Sequence, residues 1–409
     1  MASALTYIGD RVFETSLYRS WVLELRSHAY DGLVQQIDRE PLQRTHFGSL
    51  ILQLRKDLES RSPHAIQTAC WLYQQKLSPF IASLFFPESQ FYTSCDDLRH
   101  LWIAISKSSG SKGAMTSLEQ ASQDSLFMGN LPFSLWEENL RAVKTHFIRT
   151  PNPFYAAAFS ASGQEVKFIP EFDALLNSLK EGETCFYVNT MTRDLANPCE
   201  YTLSASLHDL ETEYKALYPF TVDRDSKEYF VSSPCLFADT HIKNYLNRLF
   251  SSDSLFQWPA KYDRELGVKQ IKSTLHFVHK KFFDNKDLLS ADERIFFNEL
   301  TIVYLILQMI EVIQPTICNI SCLVTVDRGP SLFTLLYVLM RHRANEAAGE
   351  DFYKNVATFL LGPSAVFCDR PIRRERFDIF LACMKHILKS PFEMPSNGDV
   401  GVETSSKPF

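Results

Sequence analysis

The stretch that decides the fold is PTICNISCLVTVDRGPS, running from Pro315 to Ser331. Ile317, Asn319 and Ser321 alternate with Cys318, Ile320 and Cys322. A period of two suits a short buried strand. After Arg328, the residues Leu332, Leu335, Leu336 and Leu339 recur at helical spacing. Gly329 and Pro330 suit the first turn of that helix, where the missing N–H of proline costs nothing. The order is therefore strand, tight loop, helix. Before the strand, the apolar run from Leu300 to Ile313 predicts a long buried helix. After the loop, the second helix ends in Arg341, His342 and Arg343.

Such a loop has chemical consequences. The first N–H groups of a helix lack internal partners, and the helix dipole adds partial positive charge there. A phosphate dianion is stabilised at that place, and so is a thiolate. Arg328 lies six positions after Cys322. From there a guanidinium returns over the loop and grips two phosphate oxygens. Cys322 is the candidate nucleophile, forming a phosphocysteine that water then hydrolyses. Asp327 is the in-loop candidate for protonating the leaving oxygen. Leu323, Val324, Thr325, Val326 and Gly329 complete the loop and would wrap the substrate phosphate.

On Cys322, Asp327, Arg328 and Gly329 the segment resembles the active-site loop of the bacterial effector phosphatases of inositol phosphates and phosphoinositides. That loop runs Cys-Lys-x-x-x-Asp-Arg and is followed by a small residue. The flanking helices are similar, and the resemblance extends over residues 185 to 390. It implies an α/β fold of the cysteine-phosphatase kind, with a central sheet and flanking helices. It also implies hydrolysis of a phosphoric monoester without a cofactor, and an inositol phosphate or phosphoinositide as ligand. The comparison with effectors further implies a reducing, cytoplasmic compartment, or export into a host cell without a secretory leader. Leu323 stands where the family carries Lys, and Val324 and Val326 crowd positions that are small or polar in the family. Two readings follow. One is an active phosphatase. The other is a decayed phosphatase-like protein that binds a phosphorylated ligand or a protein partner.

The rest of the chain narrows the class. Its 409 residues suggest more than one small core. Hydrophobic residues are 45% and charged residues 22%, the balance of an ordinary globular protein. The formal net charge of −6 argues against general nucleic-acid binding, which needs surplus Lys and Arg. The nine cysteines are scattered without a CxxC pair, so neither zinc nor a disulfide framework is indicated. They read mostly as buried thiols in a reducing compartment. The first ten residues have neither a basic region nor an apolar core, so no secretory leader is expected. The apolar run from Ile302 to Ile313 is shorter than the roughly 20 residues of a membrane span.

Residues 1–150 read as a mainly helical region, with Phe47, Leu50, Ile51, Leu54 and Leu58 at helical spacing, and Ile66, Ala69, Cys70, Tyr73 and Leu77 likewise. Its expected role is a scaffold or a protein-binding surface. Ser108 to Gly113 reads as a linker, and Pro151-Asn152-Pro153 as a second break. An α/β domain is expected over 151–390, with strands at Val166 to Ile169 and Cys185 to Val188. Helices are expected near Tyr245 to Phe250 and from Ile271 to Phe282. Pro391 to Phe409 reads as a disordered tail. His276 and His279 read as a solvated helix face, not a metal site. Arg370, Arg373, Arg374 and Arg376 read first as a salt-bridged turn, and second as a seat for a polyphosphate headgroup or an anionic membrane.

Overall fold

The computed structural model of the chain describes residues 94–108, 133–141, 143–160, 163–168, 170–195, 197–225, 235–236, 256–323, 325–368 and 371–395. In chain order the elements begin with α1 (Cys95–Ser108), β1 (Phe133–Leu140), β2 (Val143–Arg149), β3 (Phe154–Ser160), β4 (Gly163–Phe168) and α2 (Pro170–Asn177). Next come β5 (Cys185–Asn189), α3 (Pro198–Glu213), β6 (Leu217–Val222), β7 (Cys235–Leu236), β8 (Phe256–Gln257) and α4 (Arg264–Phe283). The chain continues with β9 (Leu288–Leu289), α5 (Ala291–Ile313), β10 (Ile317–Ser321), α6 (Arg328–Arg343), α7 (Gly349–Cys368) and α8 (Arg374–Lys389).

The fold is α/β, with a mixed sheet of order β1-β2-β10-β5-β6-β8. β2, β10, β5 and β6 run parallel, and the edge strands β1 and β8 are antiparallel to their neighbours. β10 thus lies between β2 and β5, with Cys318 in register with Phe147 on one side and Phe186 on the other. Trp136 of β1 stacks on Phe147 at 4.3 Å and meets Phe333 and Tyr337 of α6 and Phe359 of α7. On the opposite face, Tyr187 of β5 meets Phe172 of α2. Cover on both faces explains why every residue of β10 is buried, as in parallel sheets generally. Behind the sheet α5 runs through the helical layer against α4, α6 and α8. Among the described residues it alone is long and apolar enough to cross a membrane, and most of it is buried in the protein.

The strand expected from 185, the helix expected from 271 and the strand, loop and helix around Cys322 all appear. Other expectations change. β1 and β2 precede residue 150 yet pair into the central sheet, so the sheet starts before the expected domain boundary. Pro151, Asn152 and Pro153 are buried rather than forming an exposed break. They carry the chain from β2 past the loop that follows β10. α1 is tied to the start of α8, where Trp102 Nε1 donates to the Ile372 carbonyl at 2.8 Å. Of the expected tail, residues 391–395 are ordered: Phe392 and Met394 pack on the core, and Lys281 pairs with Glu393 at 3.0 Å. His276 is exposed as expected, but His279 is buried, with Nε2 2.8 Å from the Lys286 carbonyl oxygen. The expected helices at 47–58, 66–77 and 245–250, and the linker beyond Ser108, lie outside the described residues.

Candidate active site

The loop after β10 opens at the C-terminal edge of the parallel strands, where the segments after β2, β5 and β6 also converge. In open α/β sheets this edge is where strand ends leave room for a ligand. Each neighbouring strand end holds the loop. Thr190, just past β5, gives both its N–H (2.8 Å) and its hydroxyl (2.7 Å) to the Ser321 carbonyl. Past β2, the Asn152 N–H donates to the Leu323 carbonyl at 3.2 Å. The Thr325 hydroxyl donates to the Thr150 carbonyl at 2.7 Å and lies 2.6 Å from the Ser321 hydroxyl. The Cys322 N–H reaches the same Thr325 oxygen at 3.4 Å. Thr325 adopts a left-handed backbone, φ 49°, which turns the loop back toward its own start. The Tyr187 hydroxyl donates to the Pro151 carbonyl at 3.0 Å, and burial pushes its phenol well above the ordinary value.

The loop closes tightly on itself at Gly329. A Cβ there would lie 3.0 Å from the Ile320 carbonyl oxygen, 3.0 Å from Thr325 Cγ2 and 3.3 Å from the Cys322 nitrogen. Glycine is thus required by close approach, not by backbone angle. Asp327 is the residue before α6, but its side chain does not cap that helix. It accepts instead from the Arg373 N–H at 2.9 Å, joining the loop to the start of α8. Pro330 contributes no N–H, and the first turn of α6 stays without a side-chain cap.

Arg328 folds back over the loop, as its spacing predicts, into a network of charges. Its guanidinium makes a bidentate pair with Glu200, Nη1 to Oε2 at 2.8 Å and Nη2 to Oε1 at 2.6 Å. Nη1 also reaches Asp225 Oδ2 at 2.6 Å. Burial by itself disfavours the charged guanidinium. The hydrogen-bonded Glu200 carboxylate outweighs it, with Cys322 and Asp225 adding to the effect, so Arg328 is held charged more firmly than usual. Glu200 sits in the first turn of α3 and also accepts the Thr192 N–H at 2.8 Å. Asp225 is shared with Arg376 of α8. Arg224 pairs with Glu299 of α5, and its Nη1 donates to the Arg328 carbonyl and to the Ser331 hydroxyl. Asp223 takes the Thr192 hydroxyl at 2.9 Å and the Arg193 N–H at 2.7 Å, and burial raises its pKa above the usual carboxylate value.

The sequence-predicted residues therefore divide. Cys322 (4% exposed), Thr325, Arg328 and Gly329 come together at the loop. Val326 is buried, and Leu323 is partly buried against the core. Val324 lies outside the described residues. Asp327 is turned toward α8. Of the arginine turn, Arg376 is an internal ion-pair member, whereas Arg373 and Arg374 are exposed. Arg373 Nε lies 3.8 Å from Asp327 Oδ2, Arg374 pairs with Asp378 on the same helix, and Arg370 lies outside the described residues. Sequence reading missed Glu200, Asp223, Arg224, Asp225 and Glu299 as parts of the site. Their one signal was charge in an apolar setting: Asp223-Arg224-Asp225 directly follows a strand, and Glu299 directly precedes the apolar run that starts at Leu300. Compared with protein-family models, curated proteins and solved structures, the chain matches none.

Proposed function

We propose that the loop from Cys322 to Arg328 binds a phosphate monoester and that the chain is a cysteine-dependent phosphatase of inositol phosphates or phosphoinositides. One observation carries this reading: Cys322 and Arg328 flank a single loop between a central parallel strand and an uncapped helix start. In this reaction Cys322 Sγ attacks phosphorus and the bond to the leaving oxygen breaks. That oxygen takes a proton from water, because the Asp327 carboxylate is turned away from the loop toward the Arg373 N–H. Water then attacks the phosphocysteine, the S–P bond breaks, and phosphate leaves with the thiolate restored. Arg328, oriented by Glu200, neutralises the charge building on the equatorial oxygens.

A second reading draws on the charge balance. Arg224, Arg328 and Arg376 each have a carboxylate partner in Glu299, Glu200 and Asp225. The Thr325 hydroxyl also takes the Cys322 N–H. Together with Leu323 in place of Lys, this favours a phosphatase-like protein that binds a phosphorylated ligand or a protein partner without turnover. The deciding experiment is a phosphate-release screen over inositol phosphates and phosphoinositides, with Cys322→Ser alongside. Release by the wild type and none by the variant is the expected result. Binding without release in both proteins would replace the enzyme with the second reading.

A further inference from the structure

Asp225 differs from the other carboxylates around the loop. Its side chain is 40% exposed, against 12% for Glu200 and 2% for Glu299. Its two oxygens are divided between two guanidiniums on different elements. Oδ2 takes Arg328 Nη1 at 2.6 Å, and Oδ1 takes Arg376 Nη2. Two adjacent oxygens of one phosphate group would meet two guanidiniums in the same pattern. Both arginines are held from behind. Arg328 is fixed by the bidentate Glu200, whose second ties are the Thr192 N–H and the capped start of α3. Arg376 is only 3% exposed, and its Nη2 also donates to the Arg224 carbonyl at 3.0 Å. Removing Glu200 from Arg328 would uncover buried groups on both partners. Moving Asp225 would return a carboxylate to water from a place already partly in water. An incoming oxyanion therefore exchanges with Asp225 and not with Glu200.

We propose that Arg328 and Arg376 form a two-guanidinium oxyanion seat, and that Asp225 covers this seat and is exchanged for phosphate when ligand binds. The inference rests on the phosphate-site reading above and deepens it by adding a binding residue from α8. It also bears on ligand class. The seat gains one net positive charge when Asp225 leaves, which suits a phosphate dianion held through two of its oxygens.

The test is titration with inorganic phosphate, read by calorimetry, on the wild type and on Asp225→Asn. The amide keeps the size of the side chain and one acceptor but removes the competing charge. Affinity should rise roughly ten- to hundredfold, the worth of one charge-assisted contact. In Asp225→Asn combined with Arg376→Gln the gain should disappear. Because these variants disturb a buried network, the wild type is also titrated with phosphate after ¹⁵N labelling of its arginines. The side-chain signals of both Arg328 and Arg376 should move. Movement of Arg328 alone, or unchanged affinity in Asp225→Asn, overturns the seat. Such a result leaves the phosphatase reading standing if Cys322-dependent release is seen. Tighter phosphate binding in Asp225→Asn without any Cys322-dependent release has the opposite meaning: the seat holds and the phosphatase reading falls.

Discussion

At Gly329 the first turn of α6 passes so close to β10 that one added carbon would meet a main-chain carbonyl at 3.0 Å. A backbone oxygen in a packed sheet cannot swing aside as a side-chain tip can. Gly329→Ala should therefore cost about 1–3 kcal/mol of stability, the usual penalty of overpacking. Chemical denaturation reads this directly, and a loss below about 0.5 kcal/mol would mean the turn has room to relax. His208 offers a test in pH. Burial first, and then the charge of Arg193, push its imidazole down to about 3 from 6.5. Between those values the unfolded chain holds a proton that the folded chain refuses, so stability rises with pH through that window and is lost on acidification. His208→Gln should flatten the fall between pH 7 and pH 4.5 by on the order of 2 kcal/mol. Equal pH slopes in both proteins would refute it. Thiol reactivity gives a third test. Burial pushes the thiols of Cys95, Cys185, Cys318 and Cys383 up. Exposure alone ranks Cys199 and Cys95 ahead of Cys322. If the loop activates Cys322, iodoacetamide near pH 6.5 should reverse that order; labelling of Cys199 first would speak against activation.

The strand, loop and helix from 317 to 343 were legible because each carries its own local pattern: alternation, then a Gly-Pro turn, then leucines at helical spacing. α5 was legible for the same reason only from Leu300 onward; its first nine residues, from Ala291, went unread. Its start is also written locally. The Ser290 hydroxyl accepts the Glu293 N–H at 3.2 Å, and the Glu293 carboxylate accepts the Ser290 N–H at 2.9 Å. Ser290→Ala should lower the free energy of unfolding by the worth of one cap, about 1 kcal/mol, seen as a fall in melting temperature. No change would show that packing of α5 alone sets its start. The partners of the loop were not legible, because they come from elements far away in sequence. Thr150 and Ser321 meet across 171 positions, and Glu200 and Arg328 across 128. No periodicity links such pairs. Pro151-Asn152-Pro153 has the composition of a turn. Its carbonyls and N–H groups serve as partners for Tyr187 and Leu323, a use that composition does not reveal. His279 was misjudged because its neighbours Lys280 and Lys281 suggested water, whereas the helix turns its ring inward.

At the scale of the molecule, the sheet joins residues 133–149 to everything that follows. Protease added to the intact chain should leave Pro151 to Pro153 uncut, since cleavage needs an exposed and mobile backbone. A chain starting at residue 151 would lose β2, and with it the hydrogen bonds that Thr145 and Thr150 make to Pro315, Ser321 and Thr325. It should lack a cooperative unfolding transition. A cooperative transition in that fragment would show that the sheet is complete without its first two strands.

The placement of β10 also sets a timetable for synthesis on the ribosome. β2 and β5 are made early, but the strand that belongs between them comes late: Thr145 and its partner Pro315 are 170 residues apart. At about 5–20 residues per second, the stretch from the end of β5 to the start of β10 leaves the nascent chain roughly six to twenty-five seconds with two parallel strands that have no common neighbour. During that interval the apolar faces of Phe147, Phe186 and Tyr187 have no finished layer to enter. Cys322 and Arg328 emerge together at its end, so the loop enters between strand ends already made, while α8, which supplies Arg376, is still to come.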